Sequence, residues 1–449
     1  MSWGGPIVAP AAEFPAPPRQ VALPQPPPPR ARSQDPPHLR QVLVRHGEDD
    51  PTEGDLASRL RASKPVTWRG RGDLAQVPWA PTVRGTWLVL DLWAGFSGLC
   101  IALLQMGLHF YGVAAECDEI ACQVAGTNMP NLVHVPLVEH LAAAHFVPLL
   151  RRRTFRGVIM GGGSPCQGNS SLNMSRRGLA DPRSQQPLEL QRLRHEFSQL
   201  PEMQGVELIV FLENVGSMPQ PVRDSYNEWL QAEPIMIDAA ACGWVRRHRL
   251  YWLAGRAGAA TPSLTAPPGW DWVPAEGSVP ELRYSGDKPL PNKCFFSHGF
   301  QPMVNAKEVI AQGGRGAMHP FTREFYHPAD RTAGSSAAAV ERFMEDNRRF
   351  PPSAYEEASL VWRDSEWRQP TPHERAQLMG LPPESFDCVP GDPALRRQRQ
   401  NSLIGNGFHL FSVMAVFCLL PHILEAKIQH PMVDVEEFGL KSRLLAGGC

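Results

Sequence analysis

The chain has 449 residues, a formal net charge of −1, 43% hydrophobic and 20% charged residues, which fits a soluble globular enzyme with one large domain, or two moderate ones and a tail. No stretch approaches the roughly 20 uninterrupted apolar residues of a membrane helix, and the opening residues lack the layout of a secretory signal, so the chain reads as intracellular with no membrane partner. The nine cysteines form no CxxC pair and no His/Cys cluster at zinc spacing, so neither disulfides nor a metal is expected.

Residues 1–84 read as a Pro-rich, disordered tail and a charged lead-in, with Pro26 to Pro29 in a row and a proline-recognition ligand as the minor reading. From Thr86 the character changes. Trp87-Leu88-Val89-Leu90 is an apolar run ending at Asp91, followed by a glycine turn, Trp93 to Gly98, and an apolar helical pattern. Tyr111 to Ala115 is a second strand ending at Glu116, with a helix opened by Asp118. Further strands are expected at 132–135, 157–160, 208–212, 235–237 and 250–253, and helices at 185–199 and 222–232. Alternation of this kind predicts an α/β fold with a doubly wound, mostly parallel sheet over 85–255. Residues 256–365 are rich in Gly, Pro and aromatics and read as an inserted irregular lobe. Regular structure is expected to return over 366–428, with helices from about Pro372 to Met379 and Leu410 to Lys427, before a short tail, 429–449.

Ligands bind at the carboxyl ends of strands in such sheets, and Asp91, Glu116, Cys166 and Glu213 stand at successive ends. Gly95 and Gly98 permit close backbone approach and a sharp entry into a helix. Glu116 is placed where ribose hydroxyls are gripped, but the turn lacks G-x-G-x-x-G, which favours a cofactor without a pyrophosphate, such as S-adenosylmethionine. Gly161 to Gln167 sets a cysteine on a rigid, exposed loop, where nearby donors or cations could activate the thiol. Phe211-Leu212-Glu213-Asn214-Val215 ends a hydrophobic strand in a carboxyl group able to bind or donate a proton. Arg247-His248-Arg249 places two arginines on one side of a strand entry, able to grip a carboxylate or carbonyl oxygen. Gln400 to Phe408 reads as a turn into the last helix.

In this order the segments resemble the DNA cytosine-5 methyltransferase family, over 87–255 and 367–420. The Asp91 to Gly98 turn is similar to its first motif, Glu116 to its second, Pro165-Cys166-Gln167 to its nucleophile loop, and Glu213-Asn214-Val215 to its ENV motif. Arg247-His248-Arg249 is similar to its Arg-x-Arg motif, Arg368 with Pro370 to Arg375 to its ninth, and Gly405-Asn406-Gly407 to its tenth. Gly163 to Cys166, Asn173, Arg176 to Leu179 and Pro234 to Ala239 look most like the animal de novo enzymes. There are departures: Ser97 stands where many members have glycine, a replacement a helix-opening turn should tolerate. Pro136-Leu137-Val138 occupies the place of an adenine-contacting acid, with Glu139 the nearest carboxylate. Leu188 comes later than usual after Asp181-Pro182-Arg183-Ser184.

The resemblance implies transfer of a methyl group from S-adenosylmethionine to carbon 5 of a flipped cytosine in DNA, through a covalent cysteine adduct. It implies catalytic roles for Cys166, Glu213, Arg247 and Arg249. Cofactor contacts are implied for Asp91, Trp93, Ala94, Gly95, Ser97, Gly98, Glu116, Cys117, Pro165 and Asn406. Substrate contacts are implied for Gln167, Asn169, Asn214 and Arg368, with Lys293, Arg315 and Arg323 of the lobe on DNA phosphates. Alternatives are a tRNA cytosine-5 methyltransferase or a non-catalytic accessory subunit. A nuclear location is expected if the source is eukaryotic, and cytoplasmic otherwise, with a protein partner through the Pro-rich tail as a further expectation.

Overall fold

All six residues of the first strand, β1 (Trp87–Leu92), are buried, so the sheet must be covered on both faces. The computed structural model supplies that cover; it describes residues 53–72, 74, 85–171, 176–239, 245, 247–267, 270–273, 279–284, 301–302, 332, 334–348, 352–356, 360–363, 366–420 and 422. The Pro-rich tail, Asn173, Lys293, Arg315, Arg323 and the last residues lie outside that set. The other strands of the main sheet are β2 (Phe110–Ala115), β3 (Val133–Val135), β4 (Gly157–Gly163), β5 (Glu207–Val215), β6 (Ile235–Asp238), β7 (His248–Ala254), β8 (Trp270–Val273) and β9 (Glu281–Tyr284). Their order is β3-β2-β1-β4-β5-β7-β6-β9-β8. Strands β1 to β5 are parallel, whereas β7 runs antiparallel between β5 and β6. The order reverses between β1 and β4, which makes their carboxyl ends the switch point where doubly wound sheets bind ligands.

Side chains alternate across a strand, and each face has its own core. Trp87, Val89, Phe110, Ile159, Ile209, Phe211 and Leu253 share one core with α2 (Gly98–Gln105) and α10 (Leu410–Cys418). Leu88, Leu90, Val158, Val210, Leu212 and Trp252 share the other with α1 (Glu53–Ala62), α4 (Val147–Arg152), α5 (Pro187–Gln199) and α6 (Gln220–Leu230). Helix α3 (Glu119–Asn128) opens at Asp118, whose carboxylate accepts from the Ile120 and Ala121 amides, the N-cap arrangement that satisfies free helix donors.

The chain's return completes the first face. After α8 (Pro372–Leu378) and α9 (Pro393–Asn406), α10 lays Phe417 on Phe211, ring centroids 5.4 Å apart. Residues 400–406, expected as part of a turn, are the last turns of α9, and the turn itself is confined to the residues after it. The 256–365 segment is also less separate than its composition implies. Strands β8 and β9 join the main sheet, with Met236 of β6 opposite Glu281 of β9. The rest includes α7 (Ala337–Glu345) and strands β10 (Gln301–Pro302) and β11 (Val361–Arg363), which with β12 (Glu366–Arg368) make a second, antiparallel sheet.

Candidate active site

The turn after β1 is built from backbone conformations that most side chains avoid. Trp93, Gly95 and Ser97 have φ of 53°, 55° and 64°, left-handed values that cost a non-glycine residue about 1–2 kcal/mol each. Strain of this kind persists where the surroundings fix it and concentrates at ligand sites. Glu116 does the fixing. Its Oε2 accepts from the Gly95 amide at 2.7 Å, across 21 residues of sequence, and its Oε1 accepts from the Cys117 and Asp118 amides, each at 2.8 Å. The carboxylate is thus aimed while keeping lone pairs for further donors. A Cβ built on Gly95 would meet nothing within 4 Å, so the turn borders open space. A nucleoside cofactor with a ribose diol fits these residues: carboxylate, close backbone and open volume lie together at the switch point.

Ala94 is anchored by its amide to the Ala115 carbonyl at 3.0 Å. Half-buried Trp93 donates its indole N–H to Gln186 Oε1 at 3.0 Å, and Gln186 Nε2 donates to Glu139 Oε1 at 3.1 Å. Strand alternation turns Asp91 into the first core, fully buried against Cys100 of α2 at the foot of the turn. Burial pushes its carboxyl well above the usual range.

Strand β4 ends in Gly161-Gly162-Gly163 because its neighbours leave no room. A Cβ on Gly161 would sit 1.6 Å from the Phe211 carbonyl oxygen, and one on Gly162 would sit 1.8 Å from that of Leu92. The chain then rises into the half-buried run Pro165-Cys166-Gln167. Two buried amides pin this loop. Asn214 Nδ2 donates to the Ser164 hydroxyl at 2.9 Å; Asn169 Oδ1 accepts from the Ser184 hydroxyl at 2.9 Å, and its Nδ2 donates to the Tyr226 hydroxyl at 3.2 Å. Expected on substrate, Asn169 and Asn214 are both fully buried; their amides hold the loop, a correction that follows from where their hydrogen bonds go. Tyr226, which carried no sequence signal of its own, and Ser184 complete the brace: the Tyr226 hydroxyl donates to the Ser184 carbonyl at 2.8 Å.

Glu213 and Arg249 meet across neighbouring strands. Val215 pairs with Arg249 and Glu213 with Tyr251 in register, so the two side chains are diagonal neighbours on one face. Arg249 Nε lies 2.6 Å from Glu213 Oε1. Glu213 Oε2 faces Gly163, where a Cβ would stand 3.0 Å away, so the absent side chain leaves space beside that oxygen. Arg247 shares the face but does another job. It is buried and donates to the carbonyls of Gly405 at 3.1 Å and Gly407 at 2.6 Å; burial pushes its guanidinium down to about 10. It therefore ties the return segment to the entry of β7. Asn406, between those carbonyls, is exposed at the end of α9, and Arg368 is the last residue of β12.

Cys166 feels all of these groups. Burial pushes its thiol up and Glu213 adds to the rise, while Arg249 and, less strongly, Arg247 oppose it; the net direction is upward. The arrangement joins a thiol, a carboxylate held by an arginine, and a braced loop.

No protein-family model matches the chain. Among solved structures, it is similar to the Entamoeba histolytica methyltransferase EhMeth, at 14% identity and a TM-score of 0.46, covering 76% of this chain and 100% of that one. It is also similar to a mutant of Spodoptera frugiperda DNMT2, at 16% identity and a TM-score of 0.43, covering 75% of this chain and 99% of that one. At such identities no chemistry passes from those proteins to this one.

Two outcomes are expected. The Ser97 hydroxyl is buried with no hydrogen-bond partner among the described residues, a penalty of about 1–3 kcal/mol added to its left-handed strain. Glycine's extra unfolded-state freedom costs about 0.5–1 kcal/mol, so Ser97→Gly should raise the unfolding free energy by about 1–4 kcal/mol; a lower urea midpoint would refute this. Second, alkylation of Cys166 by iodoacetamide, followed by peptide mass spectrometry, should still be rising at its ordinary value of 9.0. Arg249→Gln should displace the profile further upward. A plateau near pH 7 in the unaltered protein would contradict the upward direction.

Proposed function

We propose that the chain is an S-adenosylmethionine-dependent methyltransferase that modifies carbon 5 of cytosine in DNA. The observation that carries the proposal is the placement of Cys166 beside the Arg249–Glu213 ion pair, 2.6 Å between its atoms, at the switch point of a doubly wound sheet. Nucleophile, acid and cation there arrive from three different strand ends, as covalent catalysis on a heterocycle needs. The sequence of the nucleophile loop and of Pro234 to Ala239 further supports a likeness to the animal de novo enzymes, with the nucleus as the place of action in a eukaryote.

Carbon 5 of cytosine is too electron-poor to accept an alkyl group unaided. Cys166 Sγ, its proton given up to solvent, forms a bond to carbon 6, and the electron pair of the carbon 5–carbon 6 double bond moves toward carbon 5 and N3. A proton taken up on Glu213 Oε2, the oxygen that Arg249 leaves free, would hydrogen-bond N3 and stabilise that redistribution. Arg249 fixes Glu213 Oε1 and leaves Oε2 toward the ring, while its charge favours the thiolate. S-adenosylmethionine, when bound, supplies the methyl group that carbon 5 accepts. The Glu116 carboxylate would hold its ribose hydroxyls, and the open backbone at Gly95 and the Trp93 indole would border it. The proton on carbon 5 then leaves to a base, its electrons restore the ring double bond, and the Cys166–carbon 6 bond breaks. A base inside a duplex cannot reach a nucleophile set this deep, so the target must be extruded at a few kcal/mol.

The test is covalent trapping. Full-length protein incubated with S-adenosylmethionine and DNA containing 5-fluorocytosine should form an adduct that peptide mapping places on Cys166, since fluorine cannot depart as a proton does. Cys166→Ser should form none and transfer no methyl group, while retaining cofactor affinity by calorimetry. An unaltered protein that binds the cofactor yet yields no adduct and no methylated DNA would point to a non-catalytic accessory role; methylation of tRNA instead of DNA would move the substrate.

A further inference from the structure

A glutamine that belongs to none of the motifs touches both halves of the candidate site. Gln186 stands half-buried at the start of α5. Its Oε1 accepts from the Trp93 indole at 3.0 Å, 93 residues away, and its Nε2 donates to Glu139 Oε1 at 3.1 Å, 47 residues away. An indole N–H can only donate and an ionised carboxylate can only accept, so the amide is turned one way, oxygen to Trp93 and nitrogen to Glu139. Trp93 belongs to the turn after β1, and Glu139 to the 3-10 turn Val138–His140 after β3. Between those strands runs β2, followed by Glu116. One side chain thus ties together the two strand ends that flank the ribose-facing carboxylate.

The backbone of the same residue belongs to the support of the nucleophile. Gln186 ends the 3-10 turn Pro182–Gln185. Two residues earlier, buried Ser184 donates its hydroxyl to Asn169 Oδ1 at 2.9 Å, and its carbonyl accepts from Tyr226 at 2.8 Å. The Asn169 amide in turn donates to the Cys166 carbonyl at 2.9 Å. A Cβ on Gly168 would lie 2.3 Å from the Ser184 hydroxyl oxygen, so this turn packs directly on the nucleophile loop. Trp93, Cys166 and Leu179 all pack against the second core, so indole and loop share one face of the sheet. The path from Trp93 to Cys166 therefore runs through one side-chain amide, a short stretch of backbone and one buried serine–asparagine pair.

We infer that Gln186 is a positioning residue: its amide holds the turn after β1 and the nucleophile loop at one separation, and so sets the reach from methyl donor to target carbon. The inference rests on the methyltransferase reading above and adds what couples cofactor to nucleophile. Gln186 acts through Trp93 on one side and through Ser184 and Asn169 on the other. Misplacing reacting groups by about 1 Å costs on the order of 100-fold in rate, so an amide at this junction matters more to turnover than to stability. A hydrocarbon in its place would leave the Trp93 N–H without this acceptor. A carboxylate would keep the acceptor but set two like charges where the 3.1 Å hydrogen bond to Glu139 now stands.

Calorimetry with S-adenosylhomocysteine and alkylation of Cys166 by iodoacetamide test it on full-length protein. The variants are Gln186→Leu, Gln186→Glu, Glu139→Gln and the double substitution Gln186→Glu with Glu139→Gln. Gln186→Leu should weaken binding about 3–10-fold, the worth of one hydrogen bond, and should raise the rate of Cys166 alkylation as the loop is freed. Gln186→Glu should weaken binding likewise. The double variant should regain most of that loss, because an amide at 139 donates to a carboxylate at 186, and the two changes should therefore be non-additive. Gln186 is half-buried and Glu139 exposed, so folding should survive; if Gln186→Leu does not fold, the rescue of Gln186→Glu decides by itself. At saturating cofactor, methyl transfer by Gln186→Leu should stay below the unaltered rate. Full recovery at saturation would reduce Gln186 to a wall of the cofactor recess and overturn the coupling. An unchanged alkylation rate, or a double variant that binds no better than Gln186→Glu, would overturn it too. An unaltered chain that binds no S-adenosylhomocysteine and forms no fluorocytosine adduct would instead overturn the methyltransferase reading.

Discussion

The guanidinium of Arg247 is the joint on which the molecule's two sequence halves meet. It sits at the entry to β7 and reaches the carbonyls of Gly405 and Gly407, 158 and 160 residues away. Burying a charge without partners is costly, and here two carbonyls satisfy it at the end of α9. The return segment's share of the first face lies behind that joint: Phe408 comes within 5.9 Å of Phe211, and α10 is laid over the strands beside α2. A Cβ on Gly98 would stand 3.1 Å from the Phe408 ring, and one on Gly163 equally close, so one aromatic from the return segment wedges the turn after β1 and the end of β4 to a fixed separation.

Electrostatics at the centre work by opposition. Burial alone would leave Cys166 a poor nucleophile and Glu213 a carboxylate without a partner. Arg249 answers both, pairing with Glu213 and lowering the thiol it faces, although not enough to reverse the effect of burial. A thiol held this way reacts slowly with solvent-borne electrophiles at neutral pH.

Much of this was legible in the sequence, for physical reasons. Strands buried on both faces appear as unbroken apolar runs, which is why β1, β2, β4 and β5 stand out, and acids at their ends mark where the runs stop. What stayed hidden was polar or context-bound. Helix α9 buries only Gln400, Asn401 and Ile404, so it lacks an apolar stripe; its start signal, Asp392 followed by Pro393, was present and is used as a cap. Helix α1 is charged and buries Leu56 and Leu60 alone among its core leucines. Residue type could not tell whether Asn169 and Asn214 face a ligand or the interior, nor that one arginine of Arg247-His248-Arg249 faces chemistry and the other architecture. Those assignments depend on which hydrogen-bond partner tertiary packing brings near.

The reversed direction of β7 has a different consequence. The strand starts at the catalytic rim with His248 and descends to Ala254, opposite Val210 in the lower half of β5. The segment that follows therefore departs from the floor of the sheet, at a distance from Cys166, before it builds the β8–β9 edge. A scaffold laid out in this way is modular: the stretch after β7 can lengthen, shorten or be exchanged at that junction while Cys166, Glu213 and Arg249 keep their places.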